Sequence, residues 1–277
     1  MRIQVLGLCR FSMLVQGDFQ TTGDDLARNR AILYDPARME QRLRWFETLC
    51  LPPLMWQTDP DFTLIVATGE DLPQPWIGRL RRIAEAVPQI RLEQVPPGRH
   101  AEICKTLLAR HTEPGADVVA QFRMDDDDAV CRDYVARVRR DWRLVAPMMG
   151  GQAPVALDYG RGFVLEQGRD GALSLRCELT HFWVPALTLY FPGGTPRSIM
   201  NYRHDWMWRF VPTISRPDGV MWVRGFHASN DSPRDPYGHR RIEMEDDEVR
   251  ATLLRRFGLG RDELFTALSA RSETSRA

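Results

Sequence analysis

Four consecutive carboxylates, Asp125 to Asp128, are the residues of this sequence with the clearest chemical potential. They follow the apolar run 118–124, whose Val and Phe residues predict a buried strand. Because neighbouring acids repel one another, the fold must offset their charge, either with solvent or with a divalent cation. Asp125 and Asp127 can reach one ion from a turn, with Asp128 as a further oxygen ligand. Mg²⁺ and Mn²⁺ prefer such ligands, and Mg²⁺ often adds substrate phosphates.

A charged loop that begins the next helix is the alternative interpretation of these acids. Asp is favoured at a helix N-cap and in the first helical turn. The acids follow a buried strand directly, however, and ligands of open α/β sheets bind in the crevice beyond the carboxyl ends of the strands. Their position therefore favours a metal–diphosphate site.

Arg10 and Ser12 follow the first predicted strand, 3–9, and should lie at the same edge of the sheet. An arginine there can pair with a diphosphate, and a serine can hydrogen-bond a base or a ribose. Arg10 would otherwise be the first solvated residue after the strand. We assign Arg10, Ser12, Arg123 and Asp125 to the binding of a nucleotide ligand.

The late segment 198–210 is rich in aromatic residues and predicts a helix. This helix could present His204 or Asp205 to a sugar hydroxyl as a general base, with Trp206 or Trp208 stacked on a sugar ring. An interfacial histidine, a surface aspartate and core tryptophans are the alternatives.

His227 follows the last predicted strand, 220–226. It is a candidate additional ligand for the ion held by the acids, and neutral imidazole suits Mn²⁺ better than Mg²⁺. A turn residue hydrogen-bonded to the loop backbone is the alternative.

Four strand patterns alternate with three helix patterns between residue 3 and the acids, which predicts a mostly parallel sheet with right-handed crossovers. After residue 152 the pattern changes, and the segments 155–166 and 172–178 predict a β-hairpin. We expect loops at 16–31 and 233–241. The predicted fold is α/β and one continuous domain, with a nucleotide-binding half at 1–150 and a mixed-strand half with C-terminal helices at 151–277.

The composition limits the choice of partners and location. The chain has 277 residues, 43% of them hydrophobic, and no net formal charge, so bulk charge gives no surface for nucleic acid. Its five cysteines are widely spaced and predict neither a zinc site nor a disulfide framework. No apolar run reaches the ~18 residues of a membrane span. We expect a cytoplasmic protein.

The sequence Phe-Arg-Met-Asp-Asp-Asp-Asp-Ala resembles a family of bacterial rhamnosyltransferases. The acids are similar to the Asp-x-Asp (DXD) element of GT-A nucleotide-sugar transferases, and relatives also carry Arg-Phe-Ser after the first strand. Asp126 stands where relatives more often have Asn, which leaves the metal carboxylates intact. GT-A enzymes often have a metal-binding histidine in a place comparable to that of His227.

This resemblance implies a GT-A-like fold and a metal-dependent glycosyltransferase. The donor would be a nucleotide-diphosphate sugar, with rhamnose suggested by the family name, and the acceptor a saccharide or glycolipid. The cofactor would be Mn²⁺ or Mg²⁺, bound by Asp125, Asp127, Asp128 and His227. The process would be cell-surface polysaccharide synthesis, with peripheral attachment to the inner membrane left open.

The catalytic base stays open between His204 and Asp205, with Asp158 as a weaker candidate. Two other functions are alternatives to a glycosyltransferase. A metal-dependent nucleotidyltransferase or phosphohydrolase would use the acids without a sugar. A non-catalytic carbohydrate-binding protein would use the tryptophan-rich segment.

Overall fold

A computed structural model describes residues 1–16, 25–227, 230 and 240–270 of the chain. The strands are β1 (Ile3–Arg10), β2 (Val15–Gln16), β3 (Thr63–Gly69), β4 (Ile90–Val95), β5 (Gly98–Arg99), β6 (Val118–Asp125), β7 (Asp128–Val130), β8 (Val155–Tyr159), β9 (Arg161–Gln167), β10 (Leu173–Leu179), β11 (Leu187–Pro192), β12 (Thr213–Arg216), β13 (Trp222–Phe226) and β14 (Arg240–Ile242). The α-helices are α1 (Leu26–Leu33), α2 (Pro36–Trp45), α3 (Leu51–Met55), α4 (Trp76–Ala86), α5 (His100–His111), α6 (Tyr134–Val145), α7 (Asp246–Phe257) and α8 (Arg261–Ser269).

The largest sheet has the order β12–β8–β11–β6–β1–β3–β4 within the described residues. β1 is parallel to β3 and β6, β3 to β4, and β8 to β12, while β11 is antiparallel to both of its neighbours. Alternate residues of β1 point into two different buried clusters, with Val5 in one and Leu6 in the other, because side chains alternate between the faces of a strand. The predicted α/β class with a mostly parallel sheet is confirmed.

A second sheet, ordered β14–β10–β9–β13–β7 in the part of the chain that is described, packs beside the first. β6 ends at Asp125 in the large sheet, and β7 begins at Asp128 in the second sheet. The acidic run is therefore one of the connections between the two sheets. This connection, 125–128, is called the acidic turn below.

Residues 155–166 do not form one strand, as the sequence predicted. The chain leaves the large sheet at the end of β8 and enters the second sheet with β9, and Gly160 makes the junction. A Cβ atom at Gly160 would lie 2.5 Å from the carbonyl oxygen of Thr180, so only glycine fits this close approach. The predicted hairpin is confirmed in its second part, where β9 pairs with β10.

The predicted helix over 198–210 is wrong. The segment forms two short 3₁₀ helices, Ile199–Asn201 and His204–Arg209, with an extended residue at Tyr202. The loop expected at 16–31 gives way to α1 from Leu26, and residues 17–24 lie outside the described part. Of the loop expected at 233–241, residues 240 and 241 belong to β14, and residues up to 239 lie outside the described part.

Helix α2 passes without a break into a π-helical turn, Phe46–Cys50, and then into α3. Pro52 and Pro53 follow this turn and do not end the helical path. A proline removes one N–H from the α-helical ladder, and a π-helical turn changes which carbonyls are bonded. No described helix combines the length and the apolar character that a bilayer span requires.

Candidate active site

Arg10 and Asp125 are partners across the parallel strands β1 and β6, and their side chains form an ion pair. Arg10 donates from Nη2 and Nε to Asp125 Oδ1 at 2.6 and 3.2 Å. Burial alone would raise the pKa of Asp125, but the Arg10 guanidinium more than offsets it and holds this pKa below the usual range. The structure thus brings together two residues that the sequence assigned to nucleotide binding.

Asp126 is completely buried and binds Arg42 of α2. Arg42 Nε donates to Asp126 Oδ2 at 2.8 Å, and its Nη2 also donates to the same carboxylate. Burial raises the pKa of Asp126 to about 6 in spite of this guanidinium. Asp126 therefore contributes a buried ion pair, which fixes the acidic turn to α2.

Asp127 lies beneath His227, the residue that follows β13. His227 Nε2 is 3.1 Å from Asp127 Oδ2, and the Asn230 side-chain amide donates to the same oxygen at 2.7 Å. Burial opposes ionisation of Asp127, but the bond to His227 and the charges of His227 and Arg42 lower its pKa overall. The predicted proximity of His227 to the acids is present in the structure.

Asp128 is the first residue of β7, and its carboxylate turns back into the acidic turn. Its Oδ2 accepts a hydrogen bond from the backbone N–H of Asp125 at 3.0 Å. Burial and the neighbouring Asp127 carboxylate raise the pKa of Asp128 well above its ordinary value. Without a cation, the fold therefore disfavours ionisation of Asp128, whereas it favours ionisation of Asp125 and Asp127.

Asp125, Asp127 and Asp128 each offer a carboxylate oxygen, and these oxygens lie within 4.8 Å of one another. Three converging oxygens, two of them from buried side chains, fit the ligand preference of Mg²⁺ and Mn²⁺. Gly225 of β13 allows the second sheet to close on this turn, since a Cβ there would lie 2.4 Å from the carbonyl oxygen of Asp127. The residues present thus fit a divalent cation.

A cavity of about 540 Å³ opens beside the acidic turn. We call it the basic cavity. Its wall consists of Leu8, Arg10, His100, Arg123, Met124, Asp125, Val184, Met200, Asn201, Tyr202, Arg203, His204, Asp205 and Arg224. Burial lowers the pKa of His100 to about 3 and that of His204 to about 4, so both rings are neutral at pH 7. Among the described residues of this wall, the four guanidinium groups then exceed the two carboxylates by two positive charges.

Arg123 and Arg224 supply this excess, because neither has a carboxylate partner among the described residues. Arg123 Nη1 is 3.8 Å from the sulfur of Met200, and its Nε is buried without a hydrogen-bond partner in the described part of the chain. Burial and the charge of Arg10 lower the pKa of Arg123 to about 10. Arg224 donates to the carbonyl oxygen of Val184 at 2.7 Å. A buried guanidinium without a partner is costly unless a ligand supplies the anion.

The two candidate bases, His204 and Asp205, both line the basic cavity. His204 Nδ1 lies 2.9 Å from the carbonyl oxygen of Phe182. Because a carbonyl only accepts, Nδ1 carries the proton and Nε2 is the acceptor in the neutral ring. Asp205 is bound by Arg203 at 2.8 Å, and this hydrogen bond lowers its pKa. The geometry favours His204 over Asp205 as a proton acceptor.

Two other predicted residues lie outside the wall of the basic cavity. Ser12 is buried, and its hydroxyl accepts a hydrogen bond from Arg38 at 2.9 Å. The structure therefore does not support the prediction that Ser12 contacts a nucleotide in this cavity. Asp158 is a buried residue of β8 that pairs with Ser215 of the neighbouring strand β12 and accepts from its hydroxyl at 2.9 Å, so it is not positioned as a base there.

Sequence reasoning missed several residues of the site. Arg42 carried a usable signal, because it interrupts the apolar stripe that Met39 and Leu43 form on α2. Arg224 also carried a signal, because it interrupts the apolar run of β13 and shares a face of that strand with Trp222 and Phe226. His100 and Asn230 carried no signal, because their positions depend on how α5 begins and how the chain turns after β13.

Residues 4–239 match the family model described as "Putative rhamnosyl transferase". The chain belongs to this rhamnosyl transferase family. No curated protein matches this family member.

Solved structures resemble the rhamnosyl transferase family member only distantly. TarS of S. aureus has 9% identity and a TM-score of 0.43, over 81% of this chain and 60% of its own, with the same values for its complex with UDP. The mannosyltransferase PcManGT of Pyrobaculum calidifontis, in complex with GDP-Man and Mn²⁺, has 15% identity and a TM-score of 0.40, over 84% and 58%. The chain thus spans about 60% of the length of the first of these. Similarity of this degree does not identify an activity or a ligand.

Proposed function

We propose that this chain is a metal-dependent glycosyltransferase that binds a nucleotide-diphosphate sugar in the basic cavity. The observation that carries the proposal is the pairing of two features at one place. Arg123 and Arg224 give the cavity an excess of positive charge, and Asp125 joins its wall to a cluster of three carboxylates suited to a dication. A pyrophosphate needs both kinds of group, since cations bind its oxygens and carboxylates bind its metal.

Arg10, Arg123 and Arg224 would hold the diphosphate in this scheme. A guanidinium group offers a planar fork of donors that matches phosphate oxygens. Asp125, Asp127 and Asp128 would hold Mn²⁺ or Mg²⁺, with His227 as a further ligand or as the group that orients Asp127. The cation, when bound, neutralises charge that develops on the leaving nucleoside diphosphate.

His204 is the proposed base. During transfer the acceptor oxygen forms a bond to the anomeric carbon, the bond from that carbon to the diphosphate oxygen breaks, and Nε2 of His204 takes the hydroxyl proton. A pKa of about 4 leaves the ring neutral and able to accept, although it makes the base a weak one.

The family description makes rhamnose the first donor sugar to test, and the proposed acceptor is a saccharide or a glycolipid. The proposal places the reaction in cell-surface polysaccharide synthesis in the cytoplasm. The halves 1–150 and 151–277 would serve donor and acceptor within one domain.

A thermal-shift screen of UDP-, GDP- and dTDP-sugars, with Mn²⁺ and with EDTA, tests the proposal. A ligand that binds only the native state raises its melting temperature by mass action. We expect at least one nucleotide sugar to stabilise the protein, with a smaller effect under EDTA, and to release its nucleoside diphosphate when acceptor is added. Hydrolysis of nucleoside triphosphates without any response to nucleotide sugars would instead identify a nucleotidyltransferase or phosphohydrolase.

A further inference from the structure

A second cavity lies at the other end of the 3₁₀ helix His204–Arg209, since His204 and Asp205 line the basic cavity and Trp208 and Arg209 line this one. It has a volume of about 470 Å³, within the range of small-molecule sites. Its wall includes Phe182, Trp208, Phe210, Thr213 and Ser215. We call it the aromatic cavity. No residue of its wall belongs to the basic cavity.

Two of its aromatic rings are unusually open to solvent. Trp208 is 60% exposed and Phe210 is 66% exposed, although most large aromatic side chains of this chain are buried. Arg209 lies 5.2 Å from the centre of the Trp208 ring and 4.4 Å from that of Trp206, which holds the rings in place by cation–π contact. An exposed apolar surface that is bordered by polar groups marks a binding surface.

The polar side of the aromatic cavity offers hydrogen-bond acceptors. The Ser215 hydroxyl donates to Asp158 at 2.9 Å, and the Thr213 hydroxyl donates to the carbonyl oxygen of Val211 at 2.8 Å. With each proton already engaged, both hydroxyl oxygens are left to accept. Arg209 adds donors at the same wall. Flat apolar rings beside such groups match a sugar ring, which has C–H faces and a rim of hydroxyls.

Phe182 connects the aromatic cavity to the basic cavity. Its side chain lines the aromatic cavity, while its carbonyl oxygen accepts from Nδ1 of His204, the proposed base. Its backbone has a φ of +57°, a left-handed conformation that is unfavourable for a bulky residue. Phe182 thus lines the aromatic cavity and also accepts the hydrogen bond that orients His204 in the basic cavity.

We propose that the aromatic cavity binds a sugar ring of the acceptor saccharide, next to the ring whose hydroxyl enters the basic cavity. The acceptor role rests on the proposed function, because it presupposes sugar transfer. Saccharide binding at this cavity does not depend on it. Trp208 and Phe210 are the stacking surfaces, and Thr213, Ser215 and Arg209 bind hydroxyls.

Saturation-transfer NMR on the full chain tests this proposal. The probes are the methyl glycosides of glucose, galactose, mannose and rhamnose, together with maltose and cellobiose. We expect one or more to receive saturation from the wild type. Trp208→Ala and Phe210→Ala should each weaken that binding about tenfold, the usual size of a central aromatic contact. Trp56→Ala, which removes a 49% exposed tryptophan outside both cavities, should leave it unchanged.

Thr213→Val tests the polar side with little change of shape and should also weaken binding. Nucleotide-sugar binding, measured on the same samples, should be equal in all variants, so failure of the donor site and failure of the aromatic cavity are distinguishable. Absence of saturation transfer to every probe overturns the proposal, as does binding that Trp208→Ala and Phe210→Ala leave intact. Binding to phosphatidylglycerol vesicles that depends on these two rings, without saccharide binding, would assign the surface to a membrane instead.

Discussion

Replacement of Arg123 by methionine should stabilise the protein and impair donor binding at the same time. Arg123 has no carboxylate partner among the described residues, and burial and the charge of Arg10 lower its pKa to about 10. That shift corresponds to roughly 3 kcal/mol against the charged form. The side chain keeps part of its solvent contact in the cavity, so we expect about half, roughly 1–2 kcal/mol, as a gain in the free energy of unfolding. This gain in the free energy of unfolding corresponds to a rise of about 2–8 °C in melting temperature.

The same substitution removes a guanidinium from the proposed diphosphate site. Loss of one partner of a desolvated charge pair weakens binding by roughly 2 kcal/mol or more, which is about thirtyfold. Differential scanning calorimetry and isothermal titration with the best nucleotide sugar measure the two effects. Arg110→Met, which removes a 58% exposed arginine paired with Glu93, is the control and should change neither. A lower melting temperature, or an unchanged donor affinity, would refute this reasoning.

Three further predictions concern the acidic turn and the base. Arg42→Met leaves Asp126 buried without its cation and should lower the free energy of unfolding, measured by denaturant, by roughly 3–5 kcal/mol. The double variant with Asp126→Leu should recover most of this stability. A double variant as unstable as Arg42→Met would contradict the assigned ion pair. Asp127→Asn should reduce the affinity for the donor in Mn²⁺ at least about tenfold, and titrations in Mn²⁺ and in EDTA measure this effect. An unchanged affinity in the variant would show that Asp127 does not belong to the metal site. His204 has its pKa lowered from 6.5 to about 4, so the unfolded chain binds a proton first and stability falls as pH drops from 6.5 towards 4. Between pH 7 and pH 5 this residue should reduce the free energy of unfolding by roughly 2 kcal/mol. Melting curves of His204→Gln should therefore show a smaller loss of stability over this pH range than those of the wild type. An identical loss in the variant would assign the effect to another residue.

The sequence allowed the sheet and the place of the acids to be predicted, because both follow from local patterns. Apolar runs defined the parallel strands, and the acids had to lie at the carboxyl edge of β6. The partner and role of each acid depend instead on residues that are distant in the sequence. Asp126 is bound by Arg42 and Asp125 by Arg10, and no local pattern says which carboxylate each arginine selects.

The segment 198–210 shows a different limit. Its spacing suggested a helix, but tertiary contacts override so weak a periodicity. His204 bonds the Phe182 carbonyl, and Ser198 and Asn201 cap a single 3₁₀ turn, so the chain is fixed in short pieces. The exposed rings of Trp208 and Phe210 follow from this arrangement. From the sequence, core packing was the favoured interpretation for the tryptophans there, and sugar stacking was the alternative.

Isothermal titration of nucleotide-diphosphate sugars with Mn²⁺ tests the central claim most directly, namely that the acidic turn and the basic cavity form one site for a metal-bound diphosphate. We expect at least one donor to bind the wild-type protein in Mn²⁺, with affinity at least about tenfold lower in EDTA and in Asp127→Asn. Affinity that is the same in Mn²⁺, in EDTA and in Asp127→Asn, or no binding of any donor, would contradict it.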